Sequence, residues 1–275
     1  MAEQHLIYQL NGKSIHYRDE GRDHTKTIVL LHGLLQNLSV WDEVTLKMMN
    51  EFRIISIDLP GHGHSDLYGN VLMMDFVSDA IKEVLNIRGI NDCVIVGHSL
   101  GGYAALAFAE NNPAMVRGIG LVHSHAMADT PEQQQKRDNV CSLVRTNAAS
   151  YVLDFVPTLF SSNSHKFMSQ RIRDITDLCL ETPAEAIIAA QQGMKCRSSR
   201  LKFLMNTSKP VMFVYGKQDP RISLETAVTQ AAMPHHSEML MLDDVAHMAH
   251  IENPTYFTRW LANFTNTCYM YEMGG

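Results

Sequence analysis

Apolar positions in the first half of the chain fall into short runs separated by segments with helical spacing. "TIVLL" (Thr27 to Leu31), "RIISID" (Arg53 to Asp58), "DCVIVG" (Asp92 to Gly97) and "GIGLVH" (Gly118 to His123) are largely apolar and rich in β-branched side chains. Such runs fit strands of a parallel sheet buried on both faces, where no wet face imposes alternation. Between them, apolar positions at helical spacing predict helices over Trp41 to Met49, Asp75 to Leu85 and Leu100 to Asn111. Asn111-Asn112-Pro113 ends the last of these, because proline has no N–H with which to continue a helix. Ahead of them all, "HLIYQL" and "KSIHYRD" flank Asn11-Gly12, a pair that accepts positive φ and so predicts a hairpin.

After His123 the strand pattern stops. From Ala126 to about Leu204 the chain is polar and helical in spacing, punctuated by Pro131, Pro157 and Pro183. Thr182-Pro183 reads as an N-cap followed by proline at the first helical position. Strands resume with "PVMFVYG" (Pro210 to Gly216) and "EMLMLD" (Glu238 to Asp243), and Asn253-Pro254 introduces a closing helix over Tyr256 to Thr267. The order predicts an α/β fold: a mostly parallel eight-stranded sheet flanked by helices, with a helical segment inserted late. The expected division is a core of residues 1–125 and 205–275 and a helical cap, 126–204, after the sixth strand.

Composition narrows the function classes. The 275 residues are 45% hydrophobic and 19% charged, enough apolar material for a sizeable core. A net charge of -6 with no basic, aromatic-studded patch argues against nucleic acid as a partner. No apolar run reaches the roughly 18 residues that cross a bilayer, and "MAEQHLIYQLNGKSIHYRDEG" is too polar for a secretory signal. The five cysteines (Cys93, Cys141, Cys179, Cys196, Cys268) are odd in number and lack C-x-x-C spacing. A reduced, cytoplasmic protein is the expectation, as a monomer or homodimer.

The candidate chemistry starts at "GHSLG" (Gly97 to Gly101), G-x-S-x-G between a predicted strand and a predicted helix. A serine in a sharp strand-to-helix turn leaves no room for side chains two residues either side. Its position at a helix N-terminus also sets oriented N–H groups beside a developing anion. Ser99 is therefore the candidate nucleophile. "LLHGLL" (Leu30 to Leu35) follows the first parallel strand, where a loop N–H can join that of Leu100 in an oxyanion hole. Leu34 is the expected donor, Leu35 the reserve, and His32 a structural imidazole that pins the loop. In "DLPGHGHS" (Asp58 to Ser65), Asp58 is expected to tie down backbone N–H groups, with His62 and His64 as turn residues. A serine needs a general base, and the base needs an orienting carboxylate. Asp219 in "YGKQDP" lies just past a strand's C-terminal end, where catalytic groups collect in open α/β sheets. "DDVAHMAHIENP" (Asp243 to Pro254) holds His247 in mid-loop and His250 nearer the next helix; no second ligand cluster accompanies them, so a metal site is not expected.

The order Ser99, Asp219, His247 resembles the α/β-hydrolases with a serine nucleophile and a helical cap. "HGLLQNLSVW" (His32 to Trp41), "DLPGHGHS", "VGHSLGG", "GKQDP" and "HMAHIENPTYF" occur in that family's order, over essentially the whole chain. The resemblance implies a Ser99–His247–Asp219 triad, an oxyanion hole from the N–H groups of Leu34 and Leu100, and no cofactor or metal. In the family the base lies five residues before the glutamate of an E-x-P motif. That rule selects His247, with Glu252-Asn253-Pro254 following, and leaves His250 as a dispensable loop or rim residue. Two departures stand out: Ala246 where relatives usually have glycine, and Pro220 directly after Asp219.

Serine at position 99 argues against the dehalogenases and epoxide hydrolases of the superfamily, which attack with aspartate. Carboxylesterase, thioesterase, lactonase, C–C hydrolase, acyltransferase and perhydrolase chemistry all fit the same apparatus. The expectation is an esterase acting on a small-molecule ester of a small or medium apolar acid. Leu35, His123, Phe155 and Phe160 are expected around the pocket, alongside "YVLDFVPTLF" (Tyr151 to Phe160), Met168, Met194 and Met205. A C–C hydrolase or lyase acting on a carboxylate would need a cationic anchor, for which Arg145, Arg171, Arg173 and Arg197 are candidates. A ligand receptor built on the same fold is the third possibility.

Overall fold

The computed structural model describes residues 6–10 and 12–270. Eight strands form one sheet: β1 (Leu6–Leu10), β2 (Lys13–Glu20), β3 (Thr27–Leu31), β4 (Arg53–Ile57), β5 (Cys93–His98), β6 (Val116–Val122), β7 (Val211–Gly216) and β8 (Ser237–Leu242). Their spatial order is β1-β2-β4-β3-β5-β6-β7-β8. Only β2 runs against its neighbours; every pairing from β4 to β8 is parallel. The hairpin between β1 and β2 turns at Gly12, φ 77°, and the Asn11 half of the predicted turn lies outside the described residues. β3, β5 and β7 are buried throughout, whereas edge strand β8 is half-buried along most of its length. This is why the central strands read as unbroken apolar runs.

The helices are α1 (Asp42–Met48), α2 (Met74–Ile87), α3 (Leu100–Asn111), α4 (Pro131–Phe155), α5 (Ser162–Phe167), α6 (Ser169–Leu180), α7 (Ala184–Cys196), α8 (Leu201–Asn206), α9 (Leu224–Ala231), α10 (Ala249–Glu252) and α11 (Pro254–Met270). The central helix α3 is buried nearly all round, lying against α2, β5 and β6. α4 to α8 occupy the interval between β6 and β7, where the sequence lost its strand pattern. α4 opens with a reciprocal capping box: Gln133 N donates to Thr130 Oγ1 at 3.3 Å and Thr130 N donates to Gln133 Oε1 at 2.8 Å. It is broken at Asn147 (φ -157°, ψ 88°), whose Oδ1 caps the second run by accepting from Ser150 N at 2.9 Å.

One cap differs from expectation. Pro183, extended at φ -60° and ψ 144°, is itself the N-cap of α7, so the predicted Thr182–Pro183 register is shifted by one residue. Thr182 Oγ1 instead donates to the carbonyl of Leu35 at 2.8 Å. A long-range acceptor has taken the hydroxyl that local spacing assigned to the helix. The five cysteines are unpaired, four of them buried. Among the described residues no helix is long and apolar enough to cross a membrane.

Candidate active site

Ser99 separates the end of β5 from the start of α3 and adopts φ 50°, ψ -111°. A side chain larger than glycine's is strained at positive φ, so the conformation must be imposed from outside. Three hydrogen bonds impose it: Ser99 N donates to Val122 O at 2.9 Å, while Ser99 O accepts from Gly102 N at 3.0 Å and Ser124 Oγ at 2.8 Å. A Cβ on Gly97 would overlap the backbone of Gly101, and one on Gly101 would overlap the carbonyls of Leu31 and His32. Both glycines of the motif are thus required by contact with the neighbouring chain.

The loop after β3 approaches the same turn. His32 Nδ1–H donates to Gly33 O at 2.7 Å and its Nε2 accepts from Leu59 N at 2.9 Å. These partners define a neutral imidazole that fixes the loop, and complete burial pushes its pKa down. Gly33 N donates to Gln36 Oε1 at 2.9 Å. Leu34 borders the cavity beside Ser99, whereas Leu35, at φ 69°, is buried away from the cavity wall. The N–H groups of Leu34 and Leu100 have no protein acceptor among the described residues. Asp58 accepts from Leu38 N (2.7 Å), His64 N (2.9 Å) and His16 Nδ1 (2.6 Å), a binding post for backbone rather than a reacting group.

Asp219 follows β7, and its side chain is nearly inaccessible. Its two oxygens lie 2.8 and 3.0 Å from His247 Nδ1, and Oδ1 also accepts from Arg221 N (2.7 Å) and Ile222 N (3.2 Å). Burial opposes its charge, but His247 and His123 beside it hold its carboxyl well below the usual carboxylate range. His247 N donates to Leu159 O at 2.9 Å, and the flanking Ala246 N and Met248 N donate to Glu252 Oε1 at 2.9 and 3.2 Å. The loop carrying His247 is therefore held from both sides by the glutamate of the E-x-P motif.

His123 has a more specific place than a pocket wall. It sits at φ 47° directly after β6, and its Nδ1 lies 2.8 Å from Asp219 Oδ2. Its Nε2 accepts from Ala249 N at 3.1 Å, so the proton is on Nδ1 and points at the carboxylate. His123, Asp219 and His247 present potential ligand atoms within 4.8 Å of one another. With both imidazoles donating N–H to one carboxylate, the lone pairs a metal would need are not turned toward a common point.

His250 departs from the expected rim position. It lies on α10, about 1% exposed, 4.4 Å from the Trp41 ring and 4.7 Å from the His98 ring. Neither of its nitrogens has a hydrogen-bond partner among the described residues. The loop predicted around it is helical and folds inward, so His250 belongs to the core under the site. A glutamine there would bury an unpaired amide, which argues against the dispensability expected from sequence.

A cavity of about 580 Å³ opens onto Ser99 and His247, walled partly by Leu34, Tyr103, His123 and Phe155. Phe160 is buried outside that wall, as is Leu35. Met194 lines the cavity, Met168 borders a separate depression, and Met205 is mostly exposed. Among the candidate anchors, Arg145, Arg171 and Arg173 do not reach the cavity wall, and Arg197 lies behind the Tyr103 ring, 4.0 Å from its centroid. The arginines that do line it, Arg137 and Arg221, were not singled out from sequence. Nor was Tyr103, although its spacing of four from Ser99 sets it one turn along the same helix.

The sequence pattern described as the alpha/beta hydrolase family matches residues 28–260. The chain belongs to that family. It is 24% identical over 274 residues to 3-oxoadipate enol-lactonase 1 of Acinetobacter baylyi, covering 97% of this chain and 99% of that one. It is 25% identical over 253 residues to a pimeloyl-[acyl-carrier protein] methyl ester esterase of Nitrosospira multiformis, covering 86% and 93%. Among solved structures, a thermophilic esterase from Thermogutta terrifontis superposes with a TM-score of 0.91 at 24% identity, covering 96% and 99% of the two chains. The enol-lactonase from Burkholderia xenovorans gives 0.88 at 20% identity, covering 95% and 100%. As a member of the family, the chain has the mostly parallel sheet and flanking helices that the apolar runs implied.

Proposed function

We propose that this hydrolase cleaves a small-molecule carboxylic ester through an acyl-enzyme, with Ser99 as nucleophile, His247 as general base and Asp219 as orienting carboxylate. The observation that carries this is that His247, hydrogen-bonded to Asp219, shares one cavity with a serine held at positive φ. Asp219 accepts the Nδ1 proton of His247, which leaves Nε2 as the basic nitrogen. His247 takes the Ser99 hydroxyl proton as Oγ attacks the ester carbonyl. The oxyanion is held by the N–H groups of Leu34 and Leu100, which have no competing protein acceptor. The proton then passes to the departing alkoxide as the C–O bond breaks, and water, deprotonated by His247, releases the acid and restores Ser99. Residues 126–204 act in this scheme as a cap over the core formed by 1–125 and 205–275. Unpaired cysteines favour a cytoplasmic setting.

Lactone hydrolysis uses the same steps, and the similarity to two enol-lactonases keeps lactones within the substrate class. A fluorophosphonate probe should label the wild-type protein, and Ser99→Ala should abolish both labelling and ester turnover. Undiminished labelling of that variant would remove Ser99 from the mechanism.

A further inference from the structure

Arg221 stands apart from the other arginines around the site. Its backbone N–H is bound to Asp219 Oδ1 at 2.7 Å, so its position is tied to the triad's carboxylate. Its guanidinium lies 4.4 Å from the Phe155 ring centroid, and its side chain makes one long hydrogen bond, Nη2 to Thr158 Oγ1 at 3.4 Å. It has no carboxylate partner among the described residues. Arg137 and Arg197, by contrast, both bind Asp129, the latter at 2.6 Å. Two guanidiniums therefore share one carboxylate at one side of the cavity, and a third, that of the partly exposed Arg221, lines it without an ion pair. Asp154 is the one other carboxylate in the described cavity wall, and Lys136 there is already paired with Glu132 at 2.7 Å.

A second donor faces the same space. Met127 N donates to His125 Nδ1 at 3.2 Å, so the His125 proton is on Nε2 and is given to Tyr103 Oη at 3.2 Å. Burial and the neighbouring Arg197 hold the His125 pKa down to about 4, which keeps this tautomer neutral at ordinary pH. The Tyr103 hydroxyl, already accepting, keeps its own proton available for an oxygen in the cavity.

We propose that Arg221 is the recognition residue for an anionic group, so that the preferred substrate is an ester or lactone whose acid portion ends in a free carboxylate. A planar guanidinium on an aromatic face offers a carboxylate two parallel N–H bonds, the geometry in which arginine outperforms lysine. Leu34, Val140 and Ile222 give the same cavity apolar wall, which suits a short methylene chain. The inference rests on the serine-esterase reading, and its test separates the two.

The test follows p-nitrophenol release from p-nitrophenyl hydrogen glutarate and from its neutral counterpart, p-nitrophenyl methyl glutarate. The wild type should favour the anionic ester by about 10- to 100-fold in kcat/KM, with the preference shrinking as salt is raised. Arg221→Gln should bring the ratio close to one, mainly through KM for the anionic ester, and Arg221→Lys should restore part of it. A wild-type ratio at or below one overturns the proposal without recourse to any variant. So does a ratio that Arg221→Gln leaves unchanged. If Ser99→Ala hydrolyses these esters as well as the wild type, or the wild type hydrolyses neither, the esterase reading fails first and the anchor with it. A neutral preference combined with a silent Ser99→Ala removes the anchor alone.

Discussion

At the scale of single residues, the carboxylate of Asp219 is shared. Two imidazoles and two backbone N–H groups donate to it, and His123 does so from a strained backbone position. A histidine that both fixes the carboxylate and accepts from Ala249 N is a positioning residue for His247, which it touches only through Asp219 and ring packing at 5.2 Å. His123→Leu leaves one carboxylate lone pair and one buried N–H unpaired, each worth about 1–3 kcal/mol. Its kcat should fall by about 10- to 100-fold. His123→Asn should recover much of that loss, because asparagine tolerates positive φ and places an N–H where Nδ1 stands. Steady-state kinetics on both variants checks this, and equal losses in Leu and Asn variants would count against the positioning role.

At the scale of elements, the loop carrying His247 is clamped by one side chain. Glu252 Oε1 accepts from Ala246 N and Met248 N, while Oε2 accepts from Ser161 N at 2.8 Å and Ser164 Oγ at 2.7 Å. It links the loop carrying His247 to the start of α5 in the inserted segment. Glu252→Ala leaves four donors without that acceptor, so melting temperature and kcat should fall together. A kcat that drops with an unchanged melting temperature would show that the clamp matters to geometry alone. Much at this scale was legible in the sequence. The span of α3 was read to the residue because a G-x-S-x-G turn starts it and Asn-Asn-Pro ends it. The four predicted strands of the first half fell within two residues of their observed ends, since unbroken β-branched runs have few other packings. Less legible were the Asn147 break and the Pro183 cap, where single side-chain contacts outweigh local spacing.

At the scale of the molecule, six buried histidines (His32, His62, His98, His123, His125 and His250) all have pKa values lowered by desolvation. For His62 the value falls to about 3 and for His125 to about 4. In the unfolded chain each would bind a proton near its ordinary value of about 6.5. Below that pH the unfolded state therefore holds more protons than the native state, and stability falls as pH falls. Each such group costs about 1.4 kcal/mol per pH unit across that window, and several together exceed the margin of a typical domain, about 5–15 kcal/mol. Asp19, Asp58 and Asp219, all with lowered pKa, extend the loss below their ordinary range. The melting temperature should be flat between about pH 7 and 8 and fall steeply between about pH 6.5 and 5. A scan in buffers of matched ionic strength checks this; a constant midpoint down to pH 5 would contradict it.

What the sequence determined by itself was the order of elements and the residue types of the site. Periodicity is a local property, and the motif glycines report steric limits set by their immediate neighbours. What only the tertiary structure decided was which distant groups share a space. His123 and His250 look alike in the sequence, each an imidazole beside an apolar run, yet one binds the carboxylate of Asp219 and the other is sealed in the core. Arg221, two residues past Asp219, looks like an ordinary loop cation until Phe155 from α4 is placed against it. Hydrogen bonding and desolvation depend on three-dimensional neighbours, and those are contributed by residues tens to hundreds of positions away.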